Sequence, residues 1–216
     1  MSGDPSRSRL LAELRIDSDS IKRLEIYENL LQRWSAIKNL VAASTLKDVW
    51  IRHFIDSAQV QRAVPQAKVW ADLGSGAGFP GLITAILLAD VPNTHVHLIE
   101  ADHRKCAFLR AVSRETGCRT TVHSERIEDV VGTLVGVEAV SARAVASLAQ
   151  LVSWSAPLLS IGAIGVFPKG KRVHGELTEL STDSSFTATL GTSVSPGGGY
   201  LVLVRRRICP KIGVST

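Results

Sequence analysis

Ten consecutive residues carry the first chemistry in the sequence: Asp72-Leu73-Gly74-Ser75-Gly76-Ala77-Gly78-Phe79-Pro80-Gly81. A residue without Cβ takes a positive φ cheaply and lets a ligand approach the backbone. A helix that starts just after such a turn aims its unpaired amides at that ligand. Gly76-Ala77-Gly78-Phe79-Pro80-Gly81 satisfies G-x-G-x-x-G, which suggests a dinucleotide. The fuller pattern is acidic-x-G-x-G-x-G. A carboxylate at Asp72 suits a cationic ligand better than a pyrophosphate, because like charges repel. S-adenosylmethionine carries a sulfonium and an ammonium. It is the favoured ligand, with Asp72, Gly74, Ser75, Gly76 and Gly78 as expected binding residues. The plain alternative is a tight turn that binds nothing.

Further candidates lie outside the turn. Glu100 comes roughly 20 residues beyond the glycines, where Rossmann-like folds place the acid that binds ribose hydroxyls. Such hydrogen bonds are charge-assisted. Residues 124–128 follow a strand, and adenine is often read by backbone groups in such a loop. His53, Asp56 and Ser57 share a helix face, at i, i+3 and i+4. Arg52 and Asp56 are one turn apart and able to pair. That face is either a helix surface with an ion pair and a packed histidine, or a polar wall beside the cofactor mouth. Arg205, Arg206 and Arg207 form a basic run that is either solvated or set against phosphate.

These residues need elements to hold them. Residues 69–73 read as a strand, the glycines as its turn, and residues 82–89 as the following helix. Further strands are expected at 95–99, 119–123, 137–141 and 161–167. Helices are expected from Asp102 to 115 and over 148–159, with a short one at 176–180. Residues 186–194 and 200–204 read as a closing antiparallel pair around the turn at 196–199. Ahead of the first strand, residues 1–8 read as frayed and 10–14 as a short helix. A longer helix covers 19–34, capped by Asp19 or Ser20, with Ile21, Leu24, Tyr27, Leu30, Leu31 and Trp34 at helical spacing. The pattern breaks at 39–41. A second helix covers 46–63, with Trp50, Ile51, Phe54, Ile55 and Ala58 as its apolar stripe, and Pro65 ends it. The fold class is α/β: a Rossmann-like methyltransferase fold, with a mostly parallel seven-stranded sheet and an N-terminal helical extension. Its expected divisions are an extension over 1–66 packed on the core, a methyltransferase domain over 67–208 and a tail over 209–216.

The bulk numbers agree with such a chain. Its 216 residues are 45% hydrophobic, enough for a substantial core. A net charge of +5 permits a polyanionic partner. No long apolar run or signal peptide is present, so a soluble cytoplasmic protein is expected, with no membrane partner. Cys106, Cys118 and Cys209 lack metal-ligand spacing and read as reduced thiols. No metal is expected, and no Ser/His/Asp constellation is present.

The chain resembles the small-subunit rRNA guanine-N7 methyltransferases, the glucose-inhibited division protein B family of bacteria. Five segments carry the resemblance, which covers most of the chain. They are Tyr27-x-x-Leu30-Leu31-x-x-Trp34-x-x-x-x-Asn39, Trp50-x-Arg52-His53-x-x-Asp56-Ser57, the glycine segment with its Phe79-Pro80-Gly81, Ser141-Ala142-Arg143-Ala144, and Lys169-Gly170. The glycine turn alone marks only a superfamily. By resemblance, Gly74, Phe79, Ile127, Glu128 and Arg143 fall where the family contacts S-adenosylmethionine, and Glu100 is the acid after the second strand. Pro168 departs from the family's usual aliphatic residue before the lysine and removes a backbone donor there.

The implied reaction is methyl transfer from S-adenosylmethionine to N7 of a guanine in the 530 loop of 16S rRNA. The substrate is the RNA or a small ribosomal subunit particle, and the enzyme is expected to be a monomer. Guanine N7 has a free in-plane lone pair, so no general base is needed. The residues expected to do the work are therefore positioning residues: Arg143, Lys169 and His53. Arg52, His53, Lys169 and Arg205 to Arg207 are the expected RNA contacts. The competing readings are methylation of another RNA, a nicotinamide-dependent oxidoreductase and a non-catalytic rRNA-binding module.

Overall fold

The computed structural model describes residues 5–38, 40, 48–180, 185–194 and 198–207. The expected break at 39–41, the start of the helix at 46, most of the turn at 196–199, the tail at 209–216 and Cys209 lie outside the described residues, apart from Leu40, Gly198 and Gly199.

The chain opens with α1 (Pro5–Glu13) and α2 (Ser18–Lys38). Residues 5–8 are therefore helical instead of frayed. Asp17, not Asp19 or Ser20, caps α2: its Oδ1 accepts from the amides of Asp19 at 3.0 Å and Ser20 at 2.8 Å. A π-helical turn, Trp50–Ile55, then runs into α3 (Asp56–Ala63). The nucleotide-binding half follows as β1 (Val69–Leu73), α4 (Gly81–Leu87), β2 (His95–Ile99), α5 (His103–Thr116) and β3 (Thr120–His123). Asp102 caps α5 as expected, accepting from the Arg104 amide at 2.8 Å, and Gly117 ends it at φ +68°. The second half holds α6 (Ile127–Val130), β4 (Ala139–Ser141), α7 (Leu148–Ser160), β5 (Ile164–Lys169), α8 (Val173–Leu180), β6 (Phe186–Thr192) and β7 (Tyr200–Arg206).

The seven strands form one sheet in the order β3-β2-β1-β4-β5-β7-β6. Only β7 runs against its neighbours. The chain winds outward from β1 to β3, then returns to lay β4 on the other side of β1. Ligands of open α/β sheets bind at such a reversal, beyond the carboxyl ends of the strands.

Successive residues of a strand face opposite sides. Trp70, Val96, Leu98 and Val166 pack under α2, α3, α4 and α5, while Ala71, Leu73, Val140 and Phe167 pack under α6 and α7. Both faces are covered, which is why β1 is apolar along its length except at Asp72.

β5 was expected to stop at residue 167 but continues through Pro168 and Lys169, paired with Leu201 and Tyr200 of β7. The β4 ladder ends at Ser141↔Val166, so beyond it β5 has a strand on one side only. A proline is tolerated where its missing N–H faces that open side. No helix among the described residues is long and apolar enough to cross a membrane.

Candidate active site

The site begins where β1 ends. Gly74, Gly76 and Gly78 all have positive φ, at +65°, +58° and +100°. Their surroundings separate their roles. A Cβ at Gly78 would strike Leu82 and, at 2.8 Å, the hydroxyl of Tyr27. One at Gly74 would lie 2.8 Å from Val145. One at Gly76 would meet nothing nearer than the Gly74 carbonyl at 3.8 Å, so its side is open. Gly78 and Gly81 are glycines for packing, and Gly76 faces the empty space.

That space is a cavity of about 380 Å³ at the carboxyl ends of β1, β2 and β4. Gly74, Gly76, Glu100, Ile127, Glu128 and Arg143 stand in its wall. Its size is within the range of small-molecule sites, roughly 300–1,000 Å³. Glu100 is already tied to the turn: Oε2 accepts from the Gly76 amide at 2.9 Å and Oε1 from the Asp102 amide at 2.8 Å. A carboxylate accepts about four hydrogen bonds, so both oxygens keep capacity for a ligand hydroxyl. Glu128 accepts from the Trp154 indole at 2.8 Å and closes one side.

A second cavity, about 310 Å³, opens on the other side of Arg143. Asp56, Lys169, Ser193 and Tyr200 help to line it, and Arg143 and Ala144 line both cavities. Ala144 has φ +56°, an uncommon conformation for a residue with Cβ.

Arg143 is fixed from three directions. Its Nη1 donates to the Asp56 carboxylate at 3.1 Å and to the Arg52 carbonyl at 3.3 Å. Its Nη2 donates to His53 Nδ1 at 2.9 Å, and its guanidinium lies 4.9 Å over the Phe79 ring. Arginine only donates, so His53 Nδ1 accepts and the imidazole proton sits on Nε2. Burial, reinforced by the Arg143 charge, holds the His53 pKa down at about 4. His53 stacks on Phe79 at 4.9 Å, and Phe79 in turn stacks on Tyr27 at 5.6 Å. The Tyr27 hydroxyl donates to the Ala77 carbonyl, which ties α2 to the glycine turn.

Lys169 is not an open cation. Its Nζ donates to the Ala146 carbonyl and to Glu176, both at 2.8 Å, with 11% of its side chain exposed. Asp72 is fully buried beneath the turn, where Oδ1 accepts from Ser141 Oγ at 2.7 Å. Burial raises its pKa to about 6, against hydrogen bonds from Ser141 and Ser75.

The structure thus brings six of the expected cofactor residues to the larger cavity and leaves Asp72, Ser75, Gly78 and Phe79 under it, where they hold its floor. The expected Arg52–Asp56 pair is replaced. Asp56 pairs with Arg143, and exposed Arg52 lies 3.6 Å from Asp48. A partner buried at Arg143 outcompetes a flexible neighbour one turn away, because screening is weaker there. Arg205, Arg206 and Arg207 are not part of the site. β7 runs antiparallel to β5, so they lie beyond the amino end of β5, at the end of the sheet opposite Lys169, and Arg206 donates to the Ser160 carbonyl at 2.7 Å. Val145, Trp154 and Tyr200 were not foreseen as site residues. They are single apolar or aromatic side chains, and no spacing marks them.

Comparison with known proteins gives concordant matches. A family model described as rRNA small subunit methyltransferase G matches residues 20–198. A ribosomal RNA small subunit methyltransferase G of Methylorubrum extorquens is 47% identical over 198 residues, 92% of this chain and 94% of that protein. One from a Methylobacterium species is 49% identical over 199 residues, with the same coverage of 92% and 94%. Among solved structures, the O-methyltransferase TomG of Streptomyces achromogenes, in complex with SAM, superposes with a TM-score of 0.58 at 16% identity, covering 89% of this chain and 91% of that one.

Proposed function

We infer the reaction from one premise: the chain belongs to the rRNA small subunit methyltransferase G family. It is an S-adenosylmethionine-dependent rRNA methyltransferase, and the nicotinamide and non-catalytic readings give way. The proposed acceptor is N7 of a guanine in the 530 loop of 16S rRNA, as RNA or as a small-subunit particle in the cytoplasm, with the enzyme acting as a monomer. In this reading residues 1–66 are an extension that buttresses a catalytic domain over 67–208.

One observation carries the reading: two cavities meet at Arg143 and Ala144, one beside the glycine turn and one beside Lys169. The first fits the methyl donor, since its wall is a cradle that a Cβ at Gly76 would enter and a carboxylate stands ready for ribose. S-adenosylmethionine, when bound, supplies an electrophilic methyl on a sulfonium. Gly74 and Gly76 give its backbone approach, Glu100 takes the ribose hydroxyls, and Ile127 and Glu128 border the base. Asp72, Ser75, Gly78 and Phe79 support that contact from beneath.

The acceptor nitrogen donates its in-plane lone pair, and the carbon–sulfur pair returns to sulfur. No proton has to leave, so His53, neutral and aimed at Arg143, is a positioning residue. Arg143 sits where the two substrates meet, with its charge offset by Asp56. Lys169 braces the acceptor side through Ala146 and Glu176. In-line placement of nitrogen, methyl and sulfur is a proximity effect worth several kcal/mol, up to about 7–11 in well-oriented reactions.

The test is mass mapping of small-subunit rRNA fragments from cells with and without the active gene. A methyl lost from the 530-loop guanine, and restored by the wild-type gene but not by Gly76→Val, is expected. An unchanged fragment would overturn the proposed acceptor.

A further inference from the structure

Residues 144–147 join β4 to α7 and pass between the two cavities. Ala144 lines both, whereas Val145 lines only the one beside the glycine turn. The turn sets its own part of that wall by backbone dihedrals, and Val145 adds a part held from elsewhere. Val145 packs directly on the turn: its Cγ2 would lie 2.8 Å from a Cβ at Gly74. Ala144, next to it, has φ +56°. A residue with Cβ keeps such a conformation only where its surroundings enforce it. At one end the segment is held by the bonds of Arg143 to Asp56 and His53. At the other end it is held from α8. Glu176 Oε2 accepts from the amide of Leu148, the first residue of α7, and from Lys169 Nζ at 2.8 Å. Lys169 Nζ in turn donates to the Ala146 carbonyl, also at 2.8 Å.

Glu176 stands in the wall of neither cavity. It lines a separate one of about 630 Å³, with Gly170, Lys171 and Arg172. Burial would raise its carboxyl, but hydrogen bonds from Lys169 and the Leu148 amide outweigh that and hold it below its ordinary value. The carboxylate is therefore ionised when it makes these bonds. We propose that Glu176 is a positioning residue for the cofactor. It holds the start of α7 directly and Ala146 through Lys169, and so keeps Val145 against the glycine turn in the wall that S-adenosylmethionine meets. Only Ala144 and Val145 separate the anchored Arg143 from the anchored Ala146, so releasing Ala146 frees Val145. This rests on the reading that the cavity at Gly76 takes the methyl donor.

The test is a double-mutant cycle on the full chain, with S-adenosylhomocysteine binding read by calorimetry. Its members are the wild type, Val145→Ala, Glu176→Ala and the double variant. Val145→Ala removes two methyl groups from the wall and should raise the dissociation constant about tenfold. Glu176→Ala withdraws the same contact from a distance and should raise it about 3- to 10-fold. Because the two remove one contact, the double variant should bind within about twofold of the weaker single variant. Glu176→Gln keeps an acceptor for the Leu148 amide and for Lys169, and should recover part of the loss. If Glu176→Ala does not fold, Glu176→Gln takes its place in the cycle under the same criterion. A residue that only stabilised the fold would lower the melting temperature and leave the dissociation constant alone, so wild-type affinity in the Glu176 variant would overturn the proposal. Single effects that multiply in the double variant would overturn it too, as would wild-type affinity in Val145→Ala. If Gly76→Val also bound like the wild type, the reading of that cavity as the donor site would itself fall, and this inference with it.

Discussion

The cavity at Gly76 takes its shape from main-chain dihedrals within one short turn, whereas the cavity at Lys169 takes its shape from side-chain ion pairs, one of them between distant segments. In the first, three positive-φ glycines and two amides donated to Glu100 fix the wall before any ligand arrives. In the second, Arg143 reaches back 87 residues to Asp56, and Lys169 is held by Glu176 on α8. Backbone shape is insensitive to salt and to most side-chain changes. Ion pairs are tunable, and each partner left alone in a buried place carries a cost. On the proposed reading, the donor side is thus fixed by backbone and the acceptor side by tunable side-chain pairs.

The sharpest break of that contrast is Gly76→Val. A branched side chain there would enter the cofactor cavity and hold φ +58°, a conformation that costs a residue with Cβ roughly 1–2 kcal/mol. Binding of S-adenosylhomocysteine should disappear from a calorimetric titration while the circular dichroism spectrum persists. Wild-type affinity in this variant would show that the cavity is not the donor site.

Next in size is Glu100→Ala. It removes the proposed hydrogen bonds to ribose and also frees the amides of Gly76 and Asp102. Hydrogen bonds to a charged group contribute about 1.5–3 kcal/mol each, so affinity for S-adenosylhomocysteine should fall by at least tenfold. The loss is present in ground and transition states alike, so the single-turnover rate at saturating cofactor should change little. A drop in that rate with affinity intact would place Glu100 in the chemistry instead.

On the acceptor side, Lys169→Ala should lower the methylation rate several-fold even at saturating RNA, because Glu176 keeps the Leu148 amide but loses its cationic partner, and the wall loses its brace. Neutralising Arg205, Arg206 and Arg207 together should leave that rate unchanged and at most weaken binding, since they lie at the opposite end of the sheet from Lys169. For every one of these arginines that touches a phosphate, neutralisation should reduce the salt slope by roughly 0.7–0.9. The reverse pattern would mean that the RNA crosses the amino ends of the parallel strands.

The smallest expected effect concerns His53. Its pKa of about 4 lies below the ordinary value of 6.5, so between these the unfolded chain binds a proton that the folded chain does not. This destabilisation is absent above about pH 6.5 and grows as pH falls toward 4. Denaturation midpoints at pH 7 and pH 5 should therefore separate more for the wild type than for His53→Gln. Equal separations would show that His53 is solvated and that the Arg143 clasp is loose.

The shape of the glycine-turn cavity was legible in the sequence because it is local. Three spaced glycines need positive φ wherever they fold, and an acid at a fixed distance beyond them falls at the end of the adjacent parallel strand. The apolar runs, the Asp102 cap and the closing antiparallel pair followed from the same local rules. The resemblance placed Arg143 and Lys169 among the expected site residues, and both line the second cavity. Nothing local says which partner a charged side chain takes. Arg52 stands one turn from Asp56 in sequence, yet Asp56 pairs with Arg143, because burial of that pair is decided by packing of α3 against the sheet.

Three decisions belonged to the tertiary structure alone. Asp72, Ser75, Gly78 and Phe79 sit in the same ten residues as Gly74 and Gly76, yet the side chains and helices around them put the first four under the cavity and the other two in its wall. The direction of β7 carried Arg205, Arg206 and Arg207 to the amino end of β5, away from Lys169. The return of the chain from β3 to β4 set Arg143 and Ala144 between two cavities whose other walls come from different segments of sequence. Dihedral preference acts within a few residues, and the sequence alone determined what depends on it. Burial and ion pairing act across the fold, so what depends on them appeared only once the sheet was assembled.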